Sequence, residues 1–493
     1  MGRADTKLSM GWAEVDITPE QQVLLDGQFY VRVSEGVMDP ITATAWALES
    51  GGDQVVFVSC DVVDISSELL DGVRARIQER SETLNPLKVV LHATHTHTGP
   101  AITTSNSEIA HTDMDLSALG LHPMPVEDYV AYAADQIADM IIRAWETRTE
   151  GGIAYGQGFA VIGRNRRWID DEGRATMYGL TPSNHDRFRH IEGYEDHSVN
   201  VVATYNSEEE LTGLIINVAN PSQSSEHEYE ISSDYWHETR LELRRRFGSG
   251  LFILPQCSAA GDLSPHQLFD VKANDRMLGL KNQTMRQEIA SRLASAIEEM
   301  LPHISSSIDY TAQLRHEVTT VDLTLYRLTD EDAMSSRVEA GTAQEWYERE
   351  LLKLDDEPSI RCTPRWYFDV TNAFGQMNWH RNVVRRYEEQ QAGLGLSIPA
   401  EVHILRLGEI AFATNPFEYY LDYGIQIKVR SPATQTFLIQ LTRASTYLPS
   451  PRSIAGGSYG SIPGSYKVGP EGGQQLAEYS VGAIRSLWPN NEE

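Results

Sequence analysis

The chain has 493 residues, of which 41% are hydrophobic and 23% are charged, the composition of an ordinary globular protein. Its 70 Asp and Glu residues outnumber its 41 Lys and Arg residues, and the formal net charge of −29 excludes nucleic acid and anionic membrane surfaces as partners. The three cysteines (Cys60, Cys257 and Cys362) are too few and too scattered for a disulfide framework or a thiolate zinc site.

The N-terminus carries no apolar core of signal-peptide length, and no stretch reaches the roughly 20 apolar residues of a membrane span. These features predict a cytoplasmic chain without a membrane partner, unless a signal has been removed. The length allows several domain-sized cores, although a large α/β enzyme can fill it as one unit.

Strand-like and helix-like segments alternate over roughly the first 300 residues, as in a layered α/β domain. The strand candidates are 55–62, 88–93, 152–156, 199–205, 213–218 and 251–255, and the helix candidates are 66–80, 126–148, 235–247 and 284–300. A polar, aromatic-rich stretch at 328–391 predicts an insertion or lid of helices and loops. Strands return at 401–407, 410–414 and 436–441, before a last helix at 472–487. We predict an α/β fold with a layered mixed sheet, as a single domain over 9–489.

A histidine-rich motif directly follows the strand candidate at 88–93. It reads His92-Ala93-Thr94-His95-Thr96-His97-Thr98-Gly99. Because residues i and i+2 of an extended segment point to the same side, His95 and His97 are expected to project together from the strand's end. Imidazole binds zinc and titrates near neutral pH, so the pair suits metal binding or acid/base chemistry. The alternative is a polar strand end whose histidines only bond to loop carbonyls.

Three stretches of the chain occur in a characteristic order, namely Gly11–Pro19, Val55–Asp61 and His95–Pro100. They resemble the opening, the first core strand and the signature of the neutral ceramidases, which are zinc amidases that split a fatty acid from a sphingoid base. The shared order of motifs runs from about Gly11 to about Tyr459. The resemblance implies the layered fold of that catalytic domain. The secretion signal and the immunoglobulin-like C-terminal domain of those enzymes are expected to be missing.

The resemblance implies a zinc site. His95 stands at the position of the family's first zinc histidine, and Glu418 in Asn415-Pro416-Phe417-Glu418 at that of a zinc glutamate. Tyr447 in Tyr447-Leu448-Pro449 matches a zinc tyrosine. The alternative for Glu418 is a cap on the segment that follows it.

The resemblance also implies three catalytic residues. His97 matches a histidine that faces the substrate and moves protons, and Arg166, in Arg164-Asn165-Arg166, matches an arginine that contacts the substrate's polar end. Tyr459, twelve residues after Tyr447, matches a tyrosine that hydrogen-bonds the reacting carbonyl. The alternative for Arg166 is a solvated surface charge.

One position departs from the family. Ceramidases supply a second zinc histidine after the strand that corresponds to 213–218, and this chain has Asn220 there. An amide oxygen is a poor zinc ligand and suits Ca²⁺ or Mn²⁺ better. Either a nearby residue replaces the ligand, or the metal is one of these other cations, or the pocket works by acid/base chemistry without a metal. The replacement candidates are Glu226, His227 and His237.

A further motif, Gly261-Asp262-Leu263-Ser264-Pro265, resembles one that lies beside the family's active site. A plain Asx-turn is the alternative for Asp262. Ser264 is an unattractive nucleophile, because Pro265 follows it and the sequence assigns it no base. His266 adds a potential ligand or proton carrier.

Three functions follow from these residues. We expect a metal-dependent hydrolase, with Zn²⁺ as its cofactor, that cleaves an amide or related bond in a polar, for example carbohydrate-containing, substrate rather than ceramide. The first alternative is a lyase or glycosidase that acts on glycans with His, Tyr and Arg as acid/base groups. The second is a catalytically dead homologue that binds a ligand. Aromatic residues at 328–391 suit stacking on sugar rings or gripping an acyl chain, and their alternative is the core of the insertion.

Overall fold

The computed structural model describes residues 7–103, 114–443 and 446–488. Its central mixed sheet has eight strands, which in chain order are β1 (Ser9–Asp16), β2 (Thr42–Ser50), β3 (Asp53–Cys60), β4 (Val89–Ala93), β5 (Thr149–Phe159), β6 (Ser198–Asn206), β7 (Leu211–Val218) and β8 (Phe252–Cys257). Their spatial order is β8-β7-β6-β5-β1-β2-β3-β4. Only the pairs β3–β4 and β7–β8 of this sheet are parallel.

A second sheet of four strands stacks on one face of the first. Its strands are β9 (Leu314–Thr324), β10 (Ser397–Leu407), β11 (Ile410–Thr414) and β12 (Gln435–Ile439), in that spatial order, with β11 and β12 parallel. Phe57 of the first sheet packs on Phe412 of the second, with ring centres 4.9 Å apart. The buried apolar residues of both inner faces form one core.

Helices cover the two outer faces. They are α1 (Ser67–Arg80), α2 (Val126–Glu146), α3 (Tyr235–Phe247), α4 (Val271–Lys281), α5 (Met285–Ile304), α6 (Asp330–Asp356), α7 (Phe368–Gln391), α8 (Leu421–Arg430), α9 (Pro451–Gly456) and α10 (Pro470–Leu487). The helices α1, α2, α3 and α5 pack on the large sheet, and α8 and α10 pack on the small one. The predicted layered α/β fold with a mixed sheet is therefore confirmed.

Helix ends follow local capping chemistry. The Ser66 side chain accepts from the Leu69 N–H at the start of α1, and Thr284 and Gln287 form a capping box at the start of α5. These signals explain why the helices predicted at 66–80 and 284–300 begin within a residue of the observed ones. The sequence analysis did not predict β1, β2, β9, α4, α8 or α9.

The stretch predicted as an insertion or lid at 328–391 forms α6 and α7, which lie against each other with a short 3₁₀ segment between them. Leu354 and Val370 of this helix pair are buried in the core that also contains α1 and α2. A lid function for the pair stays a prediction. None of the helices in the described ranges is long and apolar enough to cross a membrane.

Candidate active site

The predicted site residues meet where parallel strands of both sheets end. Backbone hydrogen bonds join the segments that follow these strands, from Ala93 N–H to Leu441 O (3.3 Å) and from Gln440 N–H to Cys257 O (3.0 Å). Ligands of open α/β sheets usually bind at such carboxyl ends. The pairs β3–β4, β7–β8 and β11–β12 thus gather residues that are far apart in the sequence.

His95 sits in a left-handed backbone conformation, with φ of 64°, directly after β4. Its N–H donates to Val62 O (3.0 Å), and its Nδ1 lies 2.7 Å from Val63 O. Because a carbonyl can only accept, Nδ1 carries a proton and Nε2 faces Glu418 Oε2 at 3.5 Å. Burial lowers the pKa of His95, but Glu418 and the Val63 carbonyl raise it above its ordinary value overall. Such backbone strain recurs at functional sites.

His97 is buried beside His95, with the two Nε2 atoms 3.2 Å apart. Its ring rests against Gly27, where an added Cβ would lie 2.5 Å from His97 Cγ, and the positive φ of 96° at Gly27 also favours glycine. Burial and the positive charges of His95 and Arg32 hold the pKa of His97 well below its ordinary value. The imidazole is therefore neutral at pH 7.

Arg166 is only 2% exposed, so the alternative of a solvated surface charge does not hold. Its Nη2 donates to Gly261 O (2.8 Å) and to Tyr447 Oη (3.0 Å), and its Nη1 donates to Tyr178 Oη (2.9 Å). The nearest carboxylate oxygen with which it pairs, Glu418 Oε2, is 3.8 Å away. The guanidinium thus donates to two phenol oxygens and to the carbonyl of a turn.

Glu418 and Tyr447 are neighbours in a two-stranded parallel ladder formed by Glu418–Tyr419 and Tyr447–Leu448. The Tyr459 ring meets the Tyr447 ring edge-on at 5.5 Å. Tyr459 also touches Phe29 (5.7 Å) and Trp379 of α7 (6.0 Å). Burial raises the pKa of both tyrosines, so their phenols stay protonated at neutral pH in this structure.

These side chains surround a cavity of about 460 Å³, a size typical of small-molecule sites. His97, Arg166, Tyr447 and Tyr459 reach its surface. The other lining residues are Gly27, Gln28, Phe29, Met177, Tyr178, Gln223, Glu226, His227 and His266. His95 and Glu418 lie behind this surface, in contact with His97 and Arg166.

Asn220 and the candidate replacement ligands for the family's second zinc histidine occupy different places in the structure. Asn220 is buried and is not among the cavity-lining residues, nor is His237, which lies in α3. Glu226 and His227 do line the cavity. Glu226 lies 3.5 Å from His97 Nδ1, on the far side of that ring from His95. Replacement of the lost ligand by any of these residues stays untested.

Asp262, Ser264 and His266 take different positions near the site. Asp262 accepts from Asn165 Nδ2 (2.8 Å) and from the Leu421 N–H (2.9 Å), which ties two segments together. Burial raises its pKa to about 6. Ser264 accepts from the His266 N–H (3.1 Å) and does not line the cavity, whereas His266 does.

The sequence analysis did not identify two residues that shape the cavity. The fully buried Arg32 donates to main-chain carbonyls of Asp26, His97 (2.5 Å), Glu226 (2.7 Å) and Glu228 (2.9 Å). Tyr178 lines the cavity from a left-handed backbone position with φ of 61°. No motif signals either residue, because their partners come from distant segments.

The donor atoms around His95 fit a cation. Its Nε2 is 3.5 Å from Glu418 Oε2, close to the separation of about 3.3 Å between two ligand atoms of a tetrahedral zinc ion. Asp64 Oδ1 is buried without a hydrogen-bond partner among the described residues, and burial and the charges of Asp26 and Glu418 raise the pKa of Asp64. Asp26 and Glu418 thus act on Asp64 as neighbouring negative charges.

The described residues contain no group of three or more His, Cys, Asp and Glu side chains arranged as metal ligands. A metal held by His95 and Glu418 would therefore need a ligand of another type. Tyr447, which pairs with Glu418 across the short ladder, is the predicted third ligand.

No protein-family model and no curated protein matches the chain. Among solved structures, it is similar to the neutral ceramidase from Pseudomonas aeruginosa, with a TM-score of 0.66 and 18% identity over 99% of this chain and 76% of that one. A ceramidase complexed with C2 gives a TM-score of 0.66 and 17% identity over 98% of this chain and 76% of that one. The chain therefore has the neutral ceramidase fold.

Proposed function

We propose that the chain is a metal-dependent hydrolase that cleaves an amide or related bond in a polar substrate, for example one that contains carbohydrate. The observation that carries the proposal is the single cavity lined by His97, Arg166 and Tyr459, with His95 and Glu418 directly behind it. The fold shared with ceramidases of known structure supports the same reaction class.

His95, Glu418 and Tyr447 would hold the metal, and a divalent cation bound there supplies a water acidic enough to ionise near pH 7. The neutral His97 accepts a proton at the cavity surface and returns it to the leaving group. Arg166 and Tyr459 present donors to a carbonyl oxygen that gains negative charge in the transition state. Phe29 and Trp379 pack on Tyr459 and fix its orientation.

The cavity favours a polar substrate over a ceramide with two long chains. Its lining includes charged and hydrogen-bonding groups from Arg166, Glu226, His227 and His266. A volume of about 460 Å³ accommodates a group the size of a sugar with a short acyl chain. The charge of −29 opposes approach to an anionic membrane.

The first test is elemental analysis of the purified protein. We expect about one metal ion per chain, lost in His95→Ala and in Glu418→Ala because each removes a direct ligand. The exposed His303 provides a matched control, since His303→Ala removes a histidine outside the site. Full metal content in both site variants would contradict the proposed ligand set.

A separate variant restores the histidine that the family has at position 220. We expect Asn220→His to bind zinc at least as tightly as the parent protein.

The second test follows turnover of soluble N-acylated amino sugars and short N-acyl amides. Tyr459→Phe and His97→Ala should each lower turnover by a factor of about 10² or more, the usual contribution of a positioned proton-transfer group. The exposed Tyr194 serves as the control, because Tyr194→Phe removes a hydroxyl outside the cavity. Unchanged turnover in His97→Ala would refute the mechanism.

One observation favours the lyase as a second candidate. The buried Arg166 guanidinium lines the cavity, and the nearest carboxylate oxygen with which it pairs, Glu418 Oε2, is 3.8 Å away, so its charge is available to the carboxylate of a uronate. Elimination from a uronate would leave an unsaturated product that absorbs in the ultraviolet, whereas hydrolysis incorporates solvent oxygen. A protein that stays stable without metal and turns over neither substrate class would be a ligand-binding homologue.

A further inference from the structure

The cavity contains a chain of hydrogen bonds that runs from Arg166 to His97. Arg166 Nη1 donates to Tyr178 Oη (2.9 Å), Tyr178 Oη lies 3.4 Å from Gln223 Oε1, and Gln223 Nε2 lies 2.8 Å from His97 Nε2. All four side chains line the cavity. Gln223 thus connects Arg166, which is proposed to donate to the substrate carbonyl, with His97, which is proposed to transfer protons.

Arg166, at one end of this series of hydrogen bonds, decides which group donates and which accepts in each bond. A guanidinium can only donate, so the Gln223 atom that also faces Arg166 Nη1 at 3.4 Å must be the carbonyl oxygen. Tyr178 Oη, which already accepts from Arg166, has its own proton left for the same oxygen. The amide nitrogen of Gln223 therefore points at His97 and donates to Nε2.

An accepting Nε2 fixes the tautomer of His97. Because Nε2 accepts, the one proton of the neutral ring must be on Nδ1. The Nδ1 atom faces Glu226 Oε2 at 3.5 Å. The other oxygen of Glu226, Oε1, lies 2.8 Å from His266 Nε2, which holds the carboxylate in place. The neighbouring His95 Nε2 lies farther from His97 Nε2, at 3.2 Å, than the Gln223 amide nitrogen at 2.8 Å, so the shorter contact with Gln223 decides the assignment.

We propose that Gln223 is a positioning residue that holds His97 in the Nδ1–H tautomer by donating its amide proton to the Nε2 lone pair. Glu226 Oε2 faces Nδ1 at 3.5 Å without a hydrogen bond in this structure, so its negative charge, rather than a directed bond, favours a proton on Nδ1. This assignment rests on the proposed function only in taking His97 as the proton-moving group. It gives Gln223 and Glu226 roles other than metal binding.

The test is nuclear magnetic resonance of the full chain labelled with ¹⁵N-histidine, as purified, at pH 7.5. Two-bond ¹⁵N–¹H correlations separate the tautomers, and the His97 signals are those missing from His97→Asn. We expect the parent protein to carry its His97 proton on Nδ1. A His97 proton on Nε2 in the parent would overturn the proposal without any further variant.

Gln223→Glu reverses the polarity of the link with almost no change of shape. A carboxylate still accepts from Arg166 and Tyr178 but cannot donate to His97, so the proton should move to Nε2. The control is Gln157→Glu, since the exposed Gln157 bonds to Asn200 and does not line the cavity. A His97 proton that stays on Nδ1 in Gln223→Glu would overturn the proposal.

Glu226→Gln keeps the inference testable if Gln223→Glu does not fold. Gln223 still donates to Nε2 in this variant, so the Nδ1–H tautomer should persist. A switch to Nε2–H would mean that Glu226 sets the tautomer, and would overturn the role of Gln223. The measurement needs neither substrate nor turnover, so its outcome is independent of whether the hydrolase proposal succeeds.

Discussion

At the scale of single residues, the three histidines of the motif have different surroundings. His95 and His97 meet Glu418, Gln223 and each other, whereas the side chain of His92 is fully buried in β4. Neither ring nitrogen of His92 has a hydrogen-bond partner among the described residues. Burial lowers the pKa of His92 to about 3. His92 is therefore a core residue that weakens the fold when the solution becomes acidic.

This position gives a stability prediction. The folded-state pKa of His92 lies below its unfolded value of about 6.5, so its contribution to stability is fully present above pH 6.5 and is lost as the pH falls toward 3. His92→Leu cannot take up a proton and buries no unsatisfied polar atom. We expect the variant to melt at a higher temperature than the parent at pH 5, and the difference to shrink at pH 8. An equal difference at both pH values would contradict the assignment.

Sequence motifs identified the cavity-facing His97, Arg166, Tyr447 and Tyr459. His97 and Tyr459 lie in loops that follow a strand and a short helix, and Tyr447 lies in the short ladder with Glu418. The same motifs could not separate His92 from its neighbours, since burial is decided by the second sheet and the helices. Gln223 meets His97 across 126 residues of sequence and Arg166 across 57. No local pattern encodes such contacts.

At the scale of elements, Arg32 joins three segments that form the cavity. Its guanidinium donates to carbonyls of the 26–30 loop, the histidine motif and the 226–228 segment. No carboxylate is among its hydrogen-bond acceptors in the described residues, and burial lowers its pKa. A buried charge of this kind is costly and persists where it fixes a particular geometry.

We therefore expect Arg32→Met to destabilise the fold by roughly 3 kcal/mol or more, because it leaves several buried carbonyls without donors. Thermal or denaturant unfolding measures the loss. Arg365 provides the control, since its pair with Glu35 is exposed and Arg365→Met should cost at most about 1 kcal/mol. Equal losses in the two variants would mean that Arg32 does not hold the segments together.

Helices and strands whose apolar residues recur at regular spacing were predictable from the sequence, and those without such spacing were not. The helix α2 shows its buried stripe through Val130, Ile137 and Ile141, and its predicted end differs by two residues from the observed one. The helix α4 has no buried residue, so its sequence carries no stripe to detect. The strand β9 alternates buried and exposed residues, and its charged outer positions concealed that alternation.

At the scale of the whole molecule, the acidic charge of −29 governs how the chain meets a substrate surface. Anionic vesicles repel a strongly acidic protein, and the repulsion extends over a Debye length of about 10 Å at 0.1 M salt and about 30 Å at 0.01 M. The cavity, in contrast, is reached by a small polar molecule whatever the charge of the surface. We therefore expect the substrate of the proposed hydrolase to be free in solution.

The net charge predicts different turnover for two substrates, namely a short-chain amide in solution and a long-chain amide embedded in anionic vesicles. A short-chain, water-soluble amide should be turned over at a rate that hardly changes between 0.01 and 0.1 M salt, because it is uncharged. A long-chain amide in vesicles rich in phosphatidylserine should be turned over more slowly, and more so at low salt, where the repulsion is unscreened. The protein should stay in the supernatant when such vesicles are sedimented. Sedimentation with the vesicles, together with faster turnover of the embedded amide, would instead indicate a membrane-facing enzyme despite its charge.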